Sequence, residues 1–233
     1  MSISNSQNDR ITYEHEYDQH IMDLKLKIIY PFLINARVLD VGCGETKGVY
    51  RRVGRVIREY IGIDKDIQTE EKAENYHFCQ KMMCDFKSNE KFDVILLFGT
   101  LEEVPNMEQH LKETIAVMKD DGHIFISVPN PYALNRVMGA CNGFIESPES
   151  LDIHDMHQGH LRLPTVEQIT HLANNCNLLV KQVWPIGFKP VPMSEMSNLK
   201  KYWHQFDMMM QNGAKYGIDK FAAGFLLHLI KKK

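Results

Sequence analysis

The chain has 233 residues, 44% of them hydrophobic and 24% charged, with a formal net charge of -3, which suits one large globular domain with a substantial core. That balance leaves no electrostatic footprint for nucleic acid, although Arg51, Arg52, Arg55 and Arg58 form a local basic run, and no stretch nears the ~18 apolar residues of a membrane span. Five cysteines without a Cys-x-x-Cys pair read as reduced thiols, and the polar start MSISNSQNDR lacks the apolar core of a secretory signal, so a cytoplasmic protein is expected.

After ten polar residues, Tyr13, Tyr17, Ile21, Leu24 and Ile28 recur at helical spacing, and Pro31 is expected to end that helix. Two readings of it stand side by side: packing on the sheet edge, or a lid over a ligand in which Tyr13, His15 and Tyr17 take part. The organising stretch follows at residues 38–48, VLDVGCGETKG. It reads as a first strand and a turn in which Gly42 and Gly44 let the backbone bend sharply and approach a ligand. Asp40 puts a carboxylate at the carboxyl end of that strand, where ligands of open α/β sheets sit.

Residues 49–60 read as a basic amphipathic helix leading into a second strand, IGID. Its last residue, Asp64, stands where a carboxylate accepts hydrogen bonds from ribose hydroxyls, so an adenosine-type ligand is expected. A dinucleotide fingerprint would need glycine where Lys47 stands, a phosphate loop would need Gly-Lys-Ser/Thr, and Asp40 would repel a phosphate. Residues 70–75 are helix-like, and residues 77–84 form a short mixed segment ahead of Asp85 and Phe86. FDVILLFG at 92–99 is an apolar run suited to a central strand buried on both faces. A helix over 107–118, a charged glycine-containing turn and the strand HIFISVPN follow.

The glycine turn resembles motif I of the class I S-adenosylmethionine-dependent methyltransferases, with Thr46 where many members carry a third glycine. The order FDVILL, LEEV, a helix and MKDDGHIFISVPN is similar to motifs IV and V of the same class, with Glu103 where many relatives have histidine. The resemblance implies a Rossmann-like α/β domain: a seven-stranded, mostly parallel sheet with an antiparallel terminal strand and helices on both faces. A tail and capping helix would occupy residues 1–36 and the methyltransferase domain residues 37–233. S-adenosylmethionine is the implied cofactor, with Asp40, Gly42, Cys43, Gly44, Asp64, Lys65, Asp85, Phe86, Phe98, Gly99 and Leu101 as its binding residues. Asp85 has a second reading, as a turn or helix-capping aspartate.

Residues 131–162 are too long for a simple connection. They begin with the amphipathic stretch NPYALNRVMGACNGF, and their Asn-Arg pair and Gly-His-x-Arg pattern resemble small-molecule and glycan-type methyltransferases, so they are expected to form a substrate wall. His154, His157 and His160 lie three apart with Asp152 and Asp155 between them. On a helix that spacing would gather three imidazoles and permit a metal site. Gly159 and the missing apolar periodicity favour a loop, and a metal-free site is expected. As general base, His160 comes first because it matches the Gly-His-x-Arg pattern, followed by His157 and His154; each also has a reading as a structural histidine.

Thr165 and Gln168 form a capping box for a helix through Asn174. A strand over 178–183, a long insertion over 185–217 opened by Pro185, Pro190 and Pro192 with a helix at 195–210, and a last strand over 221–230 complete the chain. Trp184, Trp203 and the methionines at 208–210 read as packing. Of the adjacent Glu102 and Glu103, one is expected to face the pocket and the other solvent. The expected acceptor is an oxygen of a small-molecule or sugar-containing metabolite, with a small amine or a non-catalytic cofactor-binding scaffold as alternatives. No nucleic-acid partner is expected, and a monomer or a homodimer both suit the sequence.

Overall fold

Alternation along the strands divides the apolar residues of this chain between two faces of one sheet. The structure, a computed structural model, describes residues 16–68 and 70–232; Tyr13 and His15 lie outside them. Helix α1 (Glu16–Leu33) leads into β1 (Arg37–Val41), α2 (Gly48–Val53) and β2 (Glu59–Asp64). Next come β3 (Glu71–Lys72), β4 (Tyr76–Gln80), β5 (Phe92–Phe98), α3 (Met107–Ala116) and β6 (Met118–Pro129). Helices α4 (Leu134–Cys141), α5 (Ile153–Gln158) and α6 (Val166–Asn175) precede β7 (Leu178–Phe188), α7 (Trp203–Asn212) and β8 (Ala222–Lys231).

The sheet order is β3-β4-β2-β1-β5-β6-β8-β7. Strands β4, β2, β1, β5 and β6 are parallel, and the chain's last strand, β8, runs antiparallel between β6 and β7. One face carries Leu39, Ile61, Ile95 and Leu97 against Leu111 of α3 and Ile169 of α6. The other carries Val38, Leu96 and Phe125 against Leu26 and Ile29 of α1 and Val49 of α2. Strand order reverses between β1 and β5, which opens a crevice at their carboxyl ends. Among the described residues, no helix is long and apolar enough to cross a membrane.

The Rossmann-like arrangement agrees with the sequence reading, and several boundaries are corrected. The eighth strand is β3: residues 70–75 are not helical, because Glu71 and Lys72 pair antiparallel with Phe78 and His77. Helix α2 stops at Val53 and tightens into a 3-10 turn, Gly54–Val56, whose Val56 carbonyl accepts the Asn35 N–H at 2.7 Å. Pro31 lies inside the last turn of α1; it removes one i→i−4 hydrogen bond, and the helix ends two residues later. The charged MKDDG stretch belongs to β6, and a register shift between Phe92 and Val94 absorbs it. Strand β7 continues through Pro185 to Phe188; an edge strand tolerates the missing donor. Residues 195–210 divide between a 3-10 segment, Met193–Tyr202, and α7.

The histidine stretch is helical, not a loop. Asp152 and Asp155 form a capping box for α5, and Gly159, at φ 86°, terminates it. The Thr165–Gln168 box of α6 is present as expected.

On the α1 side of the sheet, His123 Nδ1 and His228 Nε2 are 2.9 Å apart, between the rings of Phe32, Phe125 and Trp184. Burial, then the neighbouring His123, pushes His228 down to about 4, and burial also lowers His123. Free imidazoles protonate near ~6.5, so this pair contributes stability fully above that pH and loses it as the pH falls from there toward 4. The thermal midpoint of the wild type should therefore drop more steeply between pH 7 and 5 than that of His228→Phe. Parallel profiles by calorimetry would locate the pH dependence elsewhere.

Candidate active site at the carboxyl edge of the sheet

Two hydrogen-bonding groups at the end of β2 shape the turn after β1. The Ile63 carbonyl accepts the N–H groups of Gly42 at 2.8 Å and Cys43 at 3.2 Å. Asp64 accepts the Gly44 N–H at 3.0 Å and, through its other oxygen, the Asp66 N–H at 2.8 Å. Gly42 and Gly44 have φ of 79° and 67°, a region that side chains resist. A Cβ on Gly42 would stand 2.9 Å from Thr100 Oγ1, whereas one on Gly44 would meet nothing within 4 Å. Gly42 is thus needed for packing against the β5 loop, and Gly44 leaves an open approach to the backbone.

Asp40 is buried beneath this turn and accepts a hydrogen bond from the Tyr60 hydroxyl. Burial, reinforced by the charge of Asp64 and opposed by Tyr60, pushes its carboxyl up to about 7. The Cys43 thiol packs in the core toward Gly62, and burial pushes it up strongly. Asp40, Gly42, Cys43 and Phe98 line one cavity of about 140 Å³. Helix α1 closes it with Asp18, Gln19 and Met22, residues the sequence reading passed over in favour of Tyr17. Tyr17 is buried elsewhere: its hydroxyl donates to the Phe188 carbonyl and accepts the Phe188 N–H, each at 2.8 Å. It clamps α1 to the end of β7.

The remaining cofactor candidates border the same edge. Lys65 is 3.6 Å from Glu103, and Gly99, at φ 69°, donates to the Ser127 carbonyl at 3.0 Å. Asp85 is the exposed last residue of a 3-10 turn whose Met83 is buried. The Phe86 and Leu101 side chains turn into the core, so their backbones are what they offer to a ligand. The turn fits an adenosine-type cofactor: Gly44 leaves room, and each Asp64 oxygen keeps a lone pair beyond its backbone bond.

Of the three histidines, only His160 turns inward. His154 and His157 are on the exposed side of α5, His154 Nε2 lying 3.0 Å from Gln158. Gly159 separates His160 from the helix, so the imidazoles do not share a face. Among the described residues, no three His, Cys, Asp or Glu side chains group closely enough to hold a metal ion. His160 Nδ1 lies 3.4 Å from Asp155, too far for a well-formed hydrogen bond, and its side chain is 9% exposed. Burial lowers its pKa, but Asp155 and the charges of Glu102 and Glu103 outweigh that, and the net shift is upward.

Asp155 is fixed by Arg136, whose guanidinium donates to it at 2.9 Å, to the Pro148 carbonyl at 2.8 Å and to the Ser150 carbonyl at 2.5 Å. Burial works to raise the Asp155 carboxyl, but His160, the Asp152 N–H and Arg136 hold it well below the usual carboxylate range. The loop after β5 is tied to the same knot: Leu161 N–H donates to the Glu102 carbonyl at 2.8 Å, and Arg162 to the Val104 carbonyl at 2.5 Å. Glu102 is 1% exposed, and its Oε2 has no hydrogen-bond partner. Burial, opposed by His160 and Lys25, pushes its carboxyl up to about 7. Glu103 faces outward toward Lys65, which matches the expected division of the pair.

A larger groove of about 680 Å³, floored by Met107, Leu163 and Leu172, runs between α3 and α6. Leu161 and Arg162 reach its wall, but neither Glu102 nor His160 lines it.

The fold is that of the class I methyltransferases. Residues 13–183 match the family described as "Methyltransferase domain", and the chain belongs to that family. The ubiquinone biosynthesis O-methyltransferase of Pelagibacter ubique (strain HTCC1062) is 29% identical over 118 residues, 47% of this chain and 49% of the relative. The mitochondrial ubiquinone biosynthesis O-methyltransferase of Homo sapiens is 24% identical over 199 residues, 80% of this chain and 51% of the relative. The chain thus spans about half the length of these curated relatives. Among solved structures, the 1,6-didemethyltoxoflavin-N1-methyltransferase of Burkholderia thailandensis, with bound S-adenosylhomocysteine, has a TM-score of 0.58 at 16% identity, covering 93% of this chain and 80% of that one. The N-methyltransferase NodS of Bradyrhizobium japonicum WM9 has a TM-score of 0.58 at 9% identity, covering 99% and 94%.

Replacing Gly42 by alanine should destabilise the protein by about 1–3 kcal/mol, through the positive φ and the Thr100 contact together. Chemical denaturation would measure it, and an unchanged midpoint would contradict the tight turn.

Proposed function

We propose that this chain binds S-adenosylmethionine at the turn between β1 and α2 and methylates an oxygen of a small molecule placed beside Glu102 and His160. The observation that carries this reading is the buried Glu102 carboxyl, with Oε2 bare, tied through its own backbone to the loop that holds His160. When bound, the cofactor supplies a methyl group on a positively charged sulfur. The protein's share is then to position the acceptor and remove its proton.

In this reading Gly42, Cys43 and Gly44 offer backbone to the cofactor, Asp40 faces its amino-acid end, and Asp64 accepts from its ribose hydroxyls. Lys65, Asp85 and Phe86 border the base, while Phe98, Gly99 and Leu101 form the edge between cofactor and acceptor. Helix α1 acts as the lid: the cavity it closes, about 140 Å³, is below the ~300 Å³ at which small-molecule sites begin, so α1 moves outward when the cofactor enters. Asp155 beside Nδ1 keeps Nε2 of His160 as the proton acceptor, and Glu102 serves as a second acceptor within the same site. His154 and His157, exposed on α5, have no such setting.

Both groups take a proton only in their deprotonated forms. His160 is shifted upward from ~6.5 and Glu102 lies at about 7, so turnover should climb as the pH rises from 6 to 8. His160→Asn and Glu102→Gln should each lower turnover by about 10²-fold and flatten that rise, with S-adenosylhomocysteine affinity kept within about twofold. Mass spectrometry after incubation of hydroxylated and amino compounds with methyl-labelled cofactor checks the reading; label found on nitrogen alone would overturn it.

A further inference from the structure

Asp40 and Tyr60 meet where β1 and β2 lie side by side. The parallel register sets Asp40 opposite Gly62 and Val38 opposite Tyr60, so Tyr60 lies one alternation behind Asp40 on the same face of the sheet. Its ring is held by Tyr50 and Phe78, with centroids 5.2 Å and 5.5 Å away, and its hydroxyl donates to Asp40 Oδ2. Tyr60 is 0% and Asp40 2% exposed. Burial, then the charge of Asp40, raises the phenol well above its ordinary value, so it stays a donor throughout the neutral range.

Among the described residues, no cation contacts this carboxylate, and Tyr60 is the one side chain that bonds it. The charged and titratable groups around it are chiefly acidic. Asp64 ends β2 and the Cys43 thiol belongs to the turn, while Asp18 of α1 lines the same cavity as Asp40. Arg52 of α2 also lines that cavity, but its guanidinium donates to Asp23 at 2.8 Å and to the Gly48 carbonyl at 3.0 Å. Lys25 of α1 stands 5.3 Å from the ring centre of Phe98, the β5 residue of the cavity wall. A carboxylate buried in this way resists ionisation until a cation arrives beside it. The Tyr60 hydroxyl works the other way, because a hydrogen bond to the charged form favours it.

Resting on the cofactor site of the proposed function, we infer that Tyr60 is a positioning residue for Asp40, and that the site takes up the cofactor's ammonium group by releasing a proton from this carboxyl. The proton leaves an Asp40 oxygen for solvent, and the ammonium replaces it as the counter-charge; no other bond changes. Tyr60 occupies one carboxylate oxygen and leaves the other for the ligand. Affinity for the cofactor therefore falls as the pH drops through the range in which Asp40 takes up its proton, and without the Tyr60 hydroxyl that fall begins at a higher pH.

The test is calorimetric titration of the full chain with S-adenosylhomocysteine, which keeps the ammonium group, from pH 5.5 to 7.5, below the ~8 at which an α-amino group loses its proton. Wild-type affinity should rise at least about tenfold across this range and level off near its upper end. At pH 6.5, titrations in phosphate and in imidazole should differ in heat by the transfer of about half to one proton to the buffer. Tyr60→Phe should move the levelling point up by about one pH unit, and Asp40→Asn should bind more weakly at pH 7.5 and show no rise. A level wild-type affinity, no proton released, or an Asp40→Asn profile that climbs as the wild type does would each overturn the inference, whether or not Tyr60→Phe folds; a Tyr60→Phe profile coincident with the wild type would also overturn it. In all of these S-adenosylhomocysteine still binds and the cofactor reading stands. Failure of the wild type to bind it at any of these pH values would overturn the cofactor reading, and this inference with it.

Discussion

The glycine turn after β1 is held from the neighbouring strand, and the rest of the site depends on that attachment. Ile63 and Asp64 take up the N–H groups of Gly42, Cys43 and Gly44, so the turn keeps its shape without a ligand. Thr100, donating to the Val41 carbonyl at 2.7 Å, joins the loop after β5 to the same turn. Strands β2, β1 and β5 therefore deliver their carboxyl ends as one unit, and the two sides of the site, turn and Glu102, keep a fixed relation.

Acidic groups in this edge are treated in opposite ways. Asp40 and Glu102 are buried with little positive charge in contact, which favours their neutral forms near pH 7. Asp155 is buried too, yet Arg136, His160 and a backbone N–H keep it ionised. One carboxylate thus stays ionised beside an imidazole while the others are shifted toward their neutral forms. That difference comes from Arg136 on α4, which donates to Asp155 and to neither Asp40 nor Glu102.

Enclosure of the site comes from outside the central strands. Tyr17 bonds both backbone groups of Phe188, and the excursion after β7 packs Met196 and Trp203 onto the same tyrosine. His20 reaches Asp207 of α7 at 3.1 Å. The helix that covers the cavity lined by Asp40 and Phe98 is consequently coupled to the excursion on its far side, and movement of one involves the other.

Local sequence alone determined much of this molecule. The apolar runs at β1, β2, β5 and β6, the capping box at Thr165 and the pair Gly42 and Gly44 are legible because strand burial, helix capping and positive φ each demand particular residues within a few positions. The same local reading offered Asp64 and His160 as candidates and left the choice between Glu102 and Glu103 open. It failed where distant contacts prevail: β3 exists only because β4 is beside it, Pro185 is tolerated only because β7 is an edge, and α5 was missed because its cap uses two aspartates and its exposed helix lacks an apolar stripe. Tertiary structure also decided that Tyr17 clamps α1 to β7, that His160 and not His154 or His157 turns inward, and that Arg136 of α4 reaches Asp155 of α5. These residues come from segments far apart in the chain, and no spacing along it records the approach of their side chains.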